Sequence, residues 1–311
     1  MSRRAYLKAV LLSFITLAFG PLTTDASPIG GGVELSRSTG NHFFVPVQVN
    51  HRNAWFAVDT GAALTIMDRE KAKELGLSEQ AAVVSLPKQI EVNDRTVPVA
   101  QVNNLRLGDE NLGSGPVALI DLRSFGAKLR GTGRPITMDG ILGLDIMQRY
   151  RAVIDCRSQR LFMSTSDPGQ EQAVVAAAQR ARLHRVPLRV SRSGALEIEG
   201  YLGHNRYSFV VDTGGFTTLL PLKVAAQNGV VIMAAGIHAK GIHARPRPVF
   251  AAMAPDLVLG SYDLGPTFLG VTALPEGPED LRYPFGGLIG ADFLIDHGGI
   301  SDIGNTTLYF K

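Results

Sequence analysis

The chain has 311 residues, 45% hydrophobic and only 19% charged, which excludes a disordered protein and leaves room for two domains of ordinary size. Its 34 glycines and 17 prolines indicate a turn-rich, many-stranded protein. A single cysteine, Cys156, excludes an internal disulfide framework and any cysteine-based metal cage. The formal net charge of +3 belongs mostly to the N-terminus, where Arg3, Arg4 and Lys8 face only Asp25. Without residues 1–26 the balance is 28 basic against 27 acidic residues, or +1, so charge gives no reason to expect a nucleic-acid partner.

The first segment reads as an address. Arg3, Arg4 and Lys8 precede an apolar run from Ala9 to Phe19, and Thr24-Asp25-Ala26 offers small residues for cleavage. This is the layout of a secretory signal peptide over residues 1–26. Ser2 to Lys8 is similar to the twin-arginine export consensus, so a periplasmic or secreted bacterial location is expected. An uncleaved anchor is the alternative, but 11 apolar residues fall short of the about 20 that span a bilayer. No second span follows, so no stable membrane association is expected once the signal is removed. Residues 27–32, with Gly30-Gly31-Gly32, form a flexible lead-in.

The remaining elements are short and mostly β. Phe43 to Val49 and Trp55 to Val58 flank the polar turn His51-Arg52-Asn53 and predict a hairpin. Asp68 to Leu75 predicts a small helix, and strands follow at Thr96 to Val102, Leu105 to Leu107 and Pro116 to Ile120. Ser166-Asp167-Pro168-Gly169 and the alanine-rich Gln170 to Arg182 predict a turn and a connecting helix within a linker, 165–185. Leu196 to Leu202, a turn over 203–206 and Tyr207 to Val211 then repeat the hairpin, with a second small helix at Leu222 to Gln227.

The repetition extends to three landmarks. Trp55-Phe56-Ala57-Val58-Asp59-Thr60-Gly61-Ala62 matches Ser208-Phe209-Val210-Val211-Asp212-Thr213-Gly214-Gly215 at an offset of 153. Ile141-Leu142-Gly143-Leu144-Asp145 matches Leu288-Ile289-Gly290-Ala291-Asp292 at an offset of 147. Asp155 with Leu161-Phe162 matches Asp302 with Leu308-Tyr309 at the same 147. The chain is therefore read as one duplicated lobe, the first copy over 33–164 and the second over 186–311. Glycine-bearing turns of this duplication absorb part of the high glycine count.

Asp59 and Asp212 each end an apolar strand at a Thr-Gly turn. Burying a lone carboxylate costs free energy, so stability alone does not explain the choice. If the lobes face each other across a pseudo-two-fold axis, the two carboxyls meet, and at about 3 Å they share one proton. Such a pair suits peptide hydrolysis, since one member takes a proton from water while the other donates to the carbonyl oxygen. Gly61 and Gly214 permit the close backbone approach this needs.

With these motifs the chain resembles the pepsin/retropepsin superfamily of aspartic proteases, in a bacterial two-lobe form. The apolar–apolar–Asp-Thr-Gly motif and the later apolar–apolar–Gly motif each occur twice, and the likeness covers the chain beyond the leader. The resemblance implies a mostly β, bilobal fold of two duplicated barrel-like lobes with short helices. It implies Asp59 and Asp212 as the catalytic pair of an aspartic-type endopeptidase. Thr60 and Thr213 would interlock, with Gly61 and Gly214 beside them as support, and the two later glycine motifs would lie behind the loops. A polypeptide substrate, no cofactor, no metal and a monomer that is an internal pseudo-dimer also follow from the resemblance. A non-catalytic periplasmic peptide-binding or assembly protein on the same scaffold is the alternative.

The chain departs from secreted acid proteases after each Asp-Thr-Gly. Ala62 and Gly215 stand where a hydroxyl residue is usual, which suggests a working pH nearer neutral. The flap segments are expected at Val83 to Ala100, which lacks the tyrosine typical of pepsins, and at Ile232 to Phe250. His238 and His243 match no zinc-helix spacing, Arg245 and Arg247 read as a solvated loop, and Cys156 as buried and inert. Asp145 and Asp292 are expected to cap the helical turns that begin there.

Overall fold

The duplicated sequence folds into two ten-stranded sheets with one strand order. The computed structural model describes residues 29, 31–77, 89–92, 95–163, 168–241 and 246–311. The expected leader over 1–26, and parts of the lead-in and of the segment 83–100, lie outside them. The first sheet runs Gln89–Val92, Arg95–Val102, Gly115–Ile120, Ile66–Asp68, Gly140–Leu142, Arg52–Val58, Phe43–Val49, Leu105–Leu107, Glu110–Asn111. The second runs Ile232–Ala239, Arg247–Ala254, Thr267–Thr272, Leu219–Pro221, Phe285–Ile289, Asn205–Val211, Leu196–Leu202, Leu257–Leu259, Tyr262–Asp263. In each, one further two-residue strand pairs alongside, Ser36–Arg37 in the first and Arg189–Val190 in the second.

A third sheet of six strands joins the copies. At its centre Val153–Asp155 pairs antiparallel with Ile300–Asp302, with Ile154 opposite Ser301. Those two residues are equivalents under the 147-residue offset, so the pairing lies on a local two-fold relation between the copies. The third sequence landmark thus forms the seam. Apolar burial continues through it: one cluster holds Phe43, Val58, Leu142 and Ile154 together with Leu196, Phe209, Ile289 and Leu308. The helix Pro168–Arg180 buries Val174, Ala177 and Ala178 in a smaller cluster with Val153, Phe162, Ile300 and Tyr309, and so covers the same sheet.

Local chemistry explains the hairpins that carry the Asp-Thr-Gly loops. Strand Phe43–Val49 alternates buried and exposed side chains over its second half, and Val49 pairs with Arg52 across a two-residue turn. That turn is Asn50-His51, one position before the expected one, because both residues adopt positive φ, 48° and 67°. Asparagine tolerates that region well, which fixes the register. In the second copy Leu202 pairs with Asn205, and Gly203 takes the positive φ.

The expected small helices are present. Asp68 caps Arg69–Glu74 by accepting the Lys71 N–H at 2.9 Å. Leu222–Gln227 follows Pro221, which offers no side-chain cap. Gly143 and Gly290 are required by close approach: a Cβ on Gly290 would sit 2.4 Å from the Thr217 carbonyl carbon, and one on Gly143 equally close to that of Leu64. Gly290→Ala is therefore expected to lower stability by about 1–3 kcal/mol through overpacking against fixed backbone. Denaturant midpoints would measure it, and an unchanged midpoint would contradict the packing described here.

Candidate functional site

Each Asp-Thr-Gly loop leaves its sheet between two parallel strands. Strand Arg52–Val58 lies beside Gly140–Leu142, and the Asp59 N–H donates to the Leu142 carbonyl at 3.1 Å. Strand Asn205–Val211 lies beside Phe285–Ile289, and the Asp212 N–H donates to the Ile289 carbonyl at 2.9 Å. The apolar–apolar–Gly motifs therefore brace the loops from behind, as the sequence suggested.

The two loops meet through their threonines. The Thr60 hydroxyl donates to the Val211 carbonyl at 2.7 Å and accepts the Thr213 N–H at 3.0 Å. Reciprocally, the Thr213 hydroxyl donates to the Val58 carbonyl at 2.8 Å and accepts the Thr60 N–H at 3.0 Å. Both threonines are fully buried. All six sequence-nominated residues, Asp59, Thr60, Gly61, Asp212, Thr213 and Gly214, are brought together.

The glycines set the carboxyl spacing. A Cβ on Gly61 would lie 2.5 Å from Asp212 Oδ1, and one on Gly214 would lie 2.3 Å from Asp59 Cγ. Each carboxyl thus rests against the opposite loop's glycine, where any side chain would displace it. Asp59 Oδ1 accepts the N–H groups of Gly61 and Ala62 at 2.8 and 3.1 Å. Asp212 Oδ1 accepts those of Gly214 and Gly215 at 2.9 and 3.0 Å.

These contacts leave the pair unequal. Burial holds the Asp212 carboxyl well above the usual carboxylate range, and the charge of Asp59 and a hydrogen bond with its side chain push the same way. The N–H groups of Gly214 and Gly215 oppose the shift without cancelling it. The arrangement favours holding a proton on the Asp212 side of the pair.

Behind each loop a threonine carries a second tie. Thr65 Oγ1 donates to Asp145 at 2.7 Å and accepts the Gly143 N–H at 3.1 Å. Thr218 Oγ1 donates to Asp292 at 3.0 Å and accepts the Gly290 N–H at 3.1 Å. Asp145 and Asp292 are thus not the helix caps expected. The N-cap positions are Gly143 and Gly290, and the aspartates are second in their helices, where their carboxylates accept threonine hydroxyls and, at Asp292, also the Thr218 and Phe293 N–H groups. Sequence reading missed Thr65 and Thr218, although each lies six residues after its aspartate.

Two features join the copies around the carboxyls. The turn Ser38–His42 of the first copy reaches the second loop, with Asn41 Nδ2 donating to the Phe216 carbonyl at 3.1 Å. From the second copy, the segment expected as a flap forms the strand pair Ile232–Ala239/Arg247–Ala254; residues 242–245 lie outside the described residues. Just past its first strand, Lys240 Nζ donates to Ser124 Oγ at 3.0 Å and lies 4.9 Å from the Phe125 ring centre. Met233 and Ile237 leave this hairpin with exposed apolar surface.

The residues set aside from the sequence behave differently. Cys156 is buried and unpaired, with burial pushing its thiol up. His238 is exposed on the hairpin, while His243 and Arg245 lie outside the described residues. Arg247 donates to the Ala273 carbonyl. Among the described residues no group of three or more His, Cys, Asp or Glu is arranged to hold a metal ion, and no helix is long and apolar enough to cross a membrane.

Residues 45–146, about a third of the chain and including the first Asp-Thr-Gly loop, match the model of a family described as aspartyl protease. Among solved structures it is similar to a retropepsin-like aspartic protease from Rickettsia conorii, with 19% identity over 40% of this chain and 83% of that one and a TM-score of 0.28. No curated protein matches the chain.

Two expectations follow from this geometry. Thr60→Val leaves the Val211 carbonyl and the Thr213 N–H buried without partners and should cost roughly 2–4 kcal/mol, whereas Thr60→Ser should cost far less. Equal losses for Val and Ser in chemical denaturation would assign the effect to packing. Asp212→Asn should raise thermal stability at pH 7. A carboxyl with a raised folded-state pKa binds more protons folded than unfolded, so stability falls as pH rises through the window above its unfolded value, 3.8. The gain should shrink as pH approaches 4; a gain that grows on acidification would reverse the sign of the Asp212 shift.

Proposed function

We propose that the chain is an aspartic endopeptidase that hydrolyses peptide bonds with a water activated between Asp59 and Asp212. The observation that carries this reading is the pair of Asp-Thr-Gly loops, each glycine pressed on the opposite carboxyl and the carboxyls in hydrogen-bond contact. Relatedness to aspartyl proteases supports the reaction class, and the matching strand orders support a bilobal, duplicated protease fold. In the reaction the ionised carboxyl takes a proton from water as its oxygen attacks the substrate carbonyl. The protonated carboxyl donates to that carbonyl oxygen, giving a tetrahedral diol. On collapse the carboxyl protonated by water gives that proton to the leaving amine as the C–N bond breaks, and a diol hydroxyl returns its proton to the other carboxylate, restoring the starting one-proton pair.

The polypeptide would lie between the two copies, and the Ile232–Ala239/Arg247–Ala254 hairpin supports a cover from the second side. Thr60, Gly61, Thr213 and Gly214 hold the geometry and take no part in proton transfer. We further propose that the leader over 1–26 delivers the chain to the periplasm or exterior, where it works as a monomer built of linker-joined lobes over 33–164 and 186–311.

Cleavage of a peptide library by the mature chain tests the reading, with Asp59→Asn and Asp212→Asn alongside. Each variant should lose at least a thousandfold in kcat/KM, since the two carboxyls act as a unit. Wild-type activity in either variant would remove the pair from the mechanism. Peptide binding without turnover between pH 4 and 7.5 would favour the non-catalytic binding protein instead.

A further inference from the structure

The seam strands and the threonine interlock join the two copies at buried positions. Lys240 joins them at the surface. It follows Ile232–Ala239, the outermost strand of the second sheet, yet its contacts belong to the first copy. Its Nζ donates to Ser124 Oγ at 3.0 Å and stands 4.9 Å from the centre of the Phe125 ring. At that distance the face of the ring attracts an ammonium. Asp121, on the same segment, is already taken by Arg123 through two bonds at 2.6 and 3.0 Å.

The segment that Lys240 touches is built onto the first Asp-Thr-Gly loop. Phe125 packs against the apolar cluster of Ala57, Ile66 and Ile141, and so does Ala62, the residue after Gly61. Asp68 ends the strand that leaves the loop and accepts the Leu122 N–H at 2.8 Å. The Phe125 N–H then donates to the Leu122 carbonyl at 2.9 Å. The fold does not demand the contact from both copies. Ala118 pairs with Ile66 as Gly270 pairs with Leu219, so the segments after these strands correspond at an offset of 152. Glu276 and Gly277 therefore stand where the first copy has Ser124 and Phe125, and offer an ammonium neither the hydroxyl nor the ring.

We propose that Lys240 is a positioning residue that fastens the strand pair Ile232–Ala239/Arg247–Ala254 of the second copy to the first, enclosing a polypeptide that lies between the copies. The inference rests on the proposed protease reading and deepens it. Lys240 and Ser124 are both exposed, so the contact is weak enough to open for an entering chain and close again over it. It touches no reacting atom. A contact that retains the peptide equally before and during the chemical step lowers KM and leaves kcat nearly unchanged. The closure is one-sided, because the second copy carries no matching hydroxyl and ring. One copy supplies the moving strand pair, and the other supplies the fixed segment beside Asp59.

The test measures kcat and KM of the full mature chain on the library peptide cleaved fastest, beside Lys240→Met, Lys240→Arg, Phe125→Leu and the Lys240→Met/Phe125→Leu double variant. Amide hydrogen exchange of Ile232–Ala239 is followed in the same proteins. Lys240→Met should raise KM about three- to tenfold with kcat within about twofold, and exchange of the strand should quicken by a similar factor. Lys240→Arg keeps a cation for the ring and a donor for Ser124, and should restore most of both. The double variant should fall short of the product of the two single effects. KM or exchange that stays in place in Lys240→Met overturns the proposal. Single effects that multiply in full also overturn it, since Lys240 and Phe125 would then act apart. If the wild type cleaves no peptide, the protease reading itself fails. Exchange still decides the contact in that case, because an unchanged rate in Lys240→Met shows that it fastens nothing.

Discussion

The reciprocal bond between Thr60 and Thr213 is the constraint on which the site depends. Two carboxyls placed in contact repel when both are ionised, by about 4 kcal/mol at 4 Å and an effective dielectric near 20. Four interlocking hydrogen bonds, at about 1 kcal/mol each, are of the same size. Their asymmetry matters more than their sum. Both threonines are fully buried, so separating the loops would orphan two N–H groups and two carbonyls where water does not reach. A shared proton removes most of the repulsion, and the interlock then holds the carboxyls at a distance where sharing is the lowest state.

The same constraint gives the surrounding architecture its purpose. The interlock joins two loops that belong to different sheets, so it tolerates little relative movement of those sheets. The central strand pair Val153–Asp155 and Ile300–Asp302, and the apolar cluster continuous across it, supply that rigidity. Behind each loop, Thr65 with Asp145 and Thr218 with Asp292 tie the loop's exit to the strand end that braces it. The loops are thus fixed in front by each other and behind by a repeated Thr–Asp–Gly cluster.

Much of this was legible because duplication writes each structural requirement twice. The three landmarks at offsets of 153 and 147 marked the Asp-Thr-Gly loops, their braces and the seam. Alternating strands and two-residue turns located the hairpins to within a residue or two. What escaped was non-local. Asp145 and Asp292 looked like helix caps because a cap is a local pattern, whereas their true partners lie 80 and 74 positions away.

Residues that agree between the copies build the scaffold, and residues that differ assign the halves their separate roles. The copies part at Asp68 and Pro221, which occupy equivalent positions under the 153-residue offset. Asp68 caps its helix and also accepts the Leu122 N–H at 2.8 Å, anchoring the start of the segment Arg123–Phe125. Pro221 does neither. Lys240 from the opposite hairpin rests on that same segment, through Ser124 and Phe125. The first copy therefore supplies a braced landing site, and the second supplies the hairpin whose Lys240 rests on it. Covalent linkage of the two lobes is what permits this division, since a symmetric dimer of one lobe would repeat every such change on both sides.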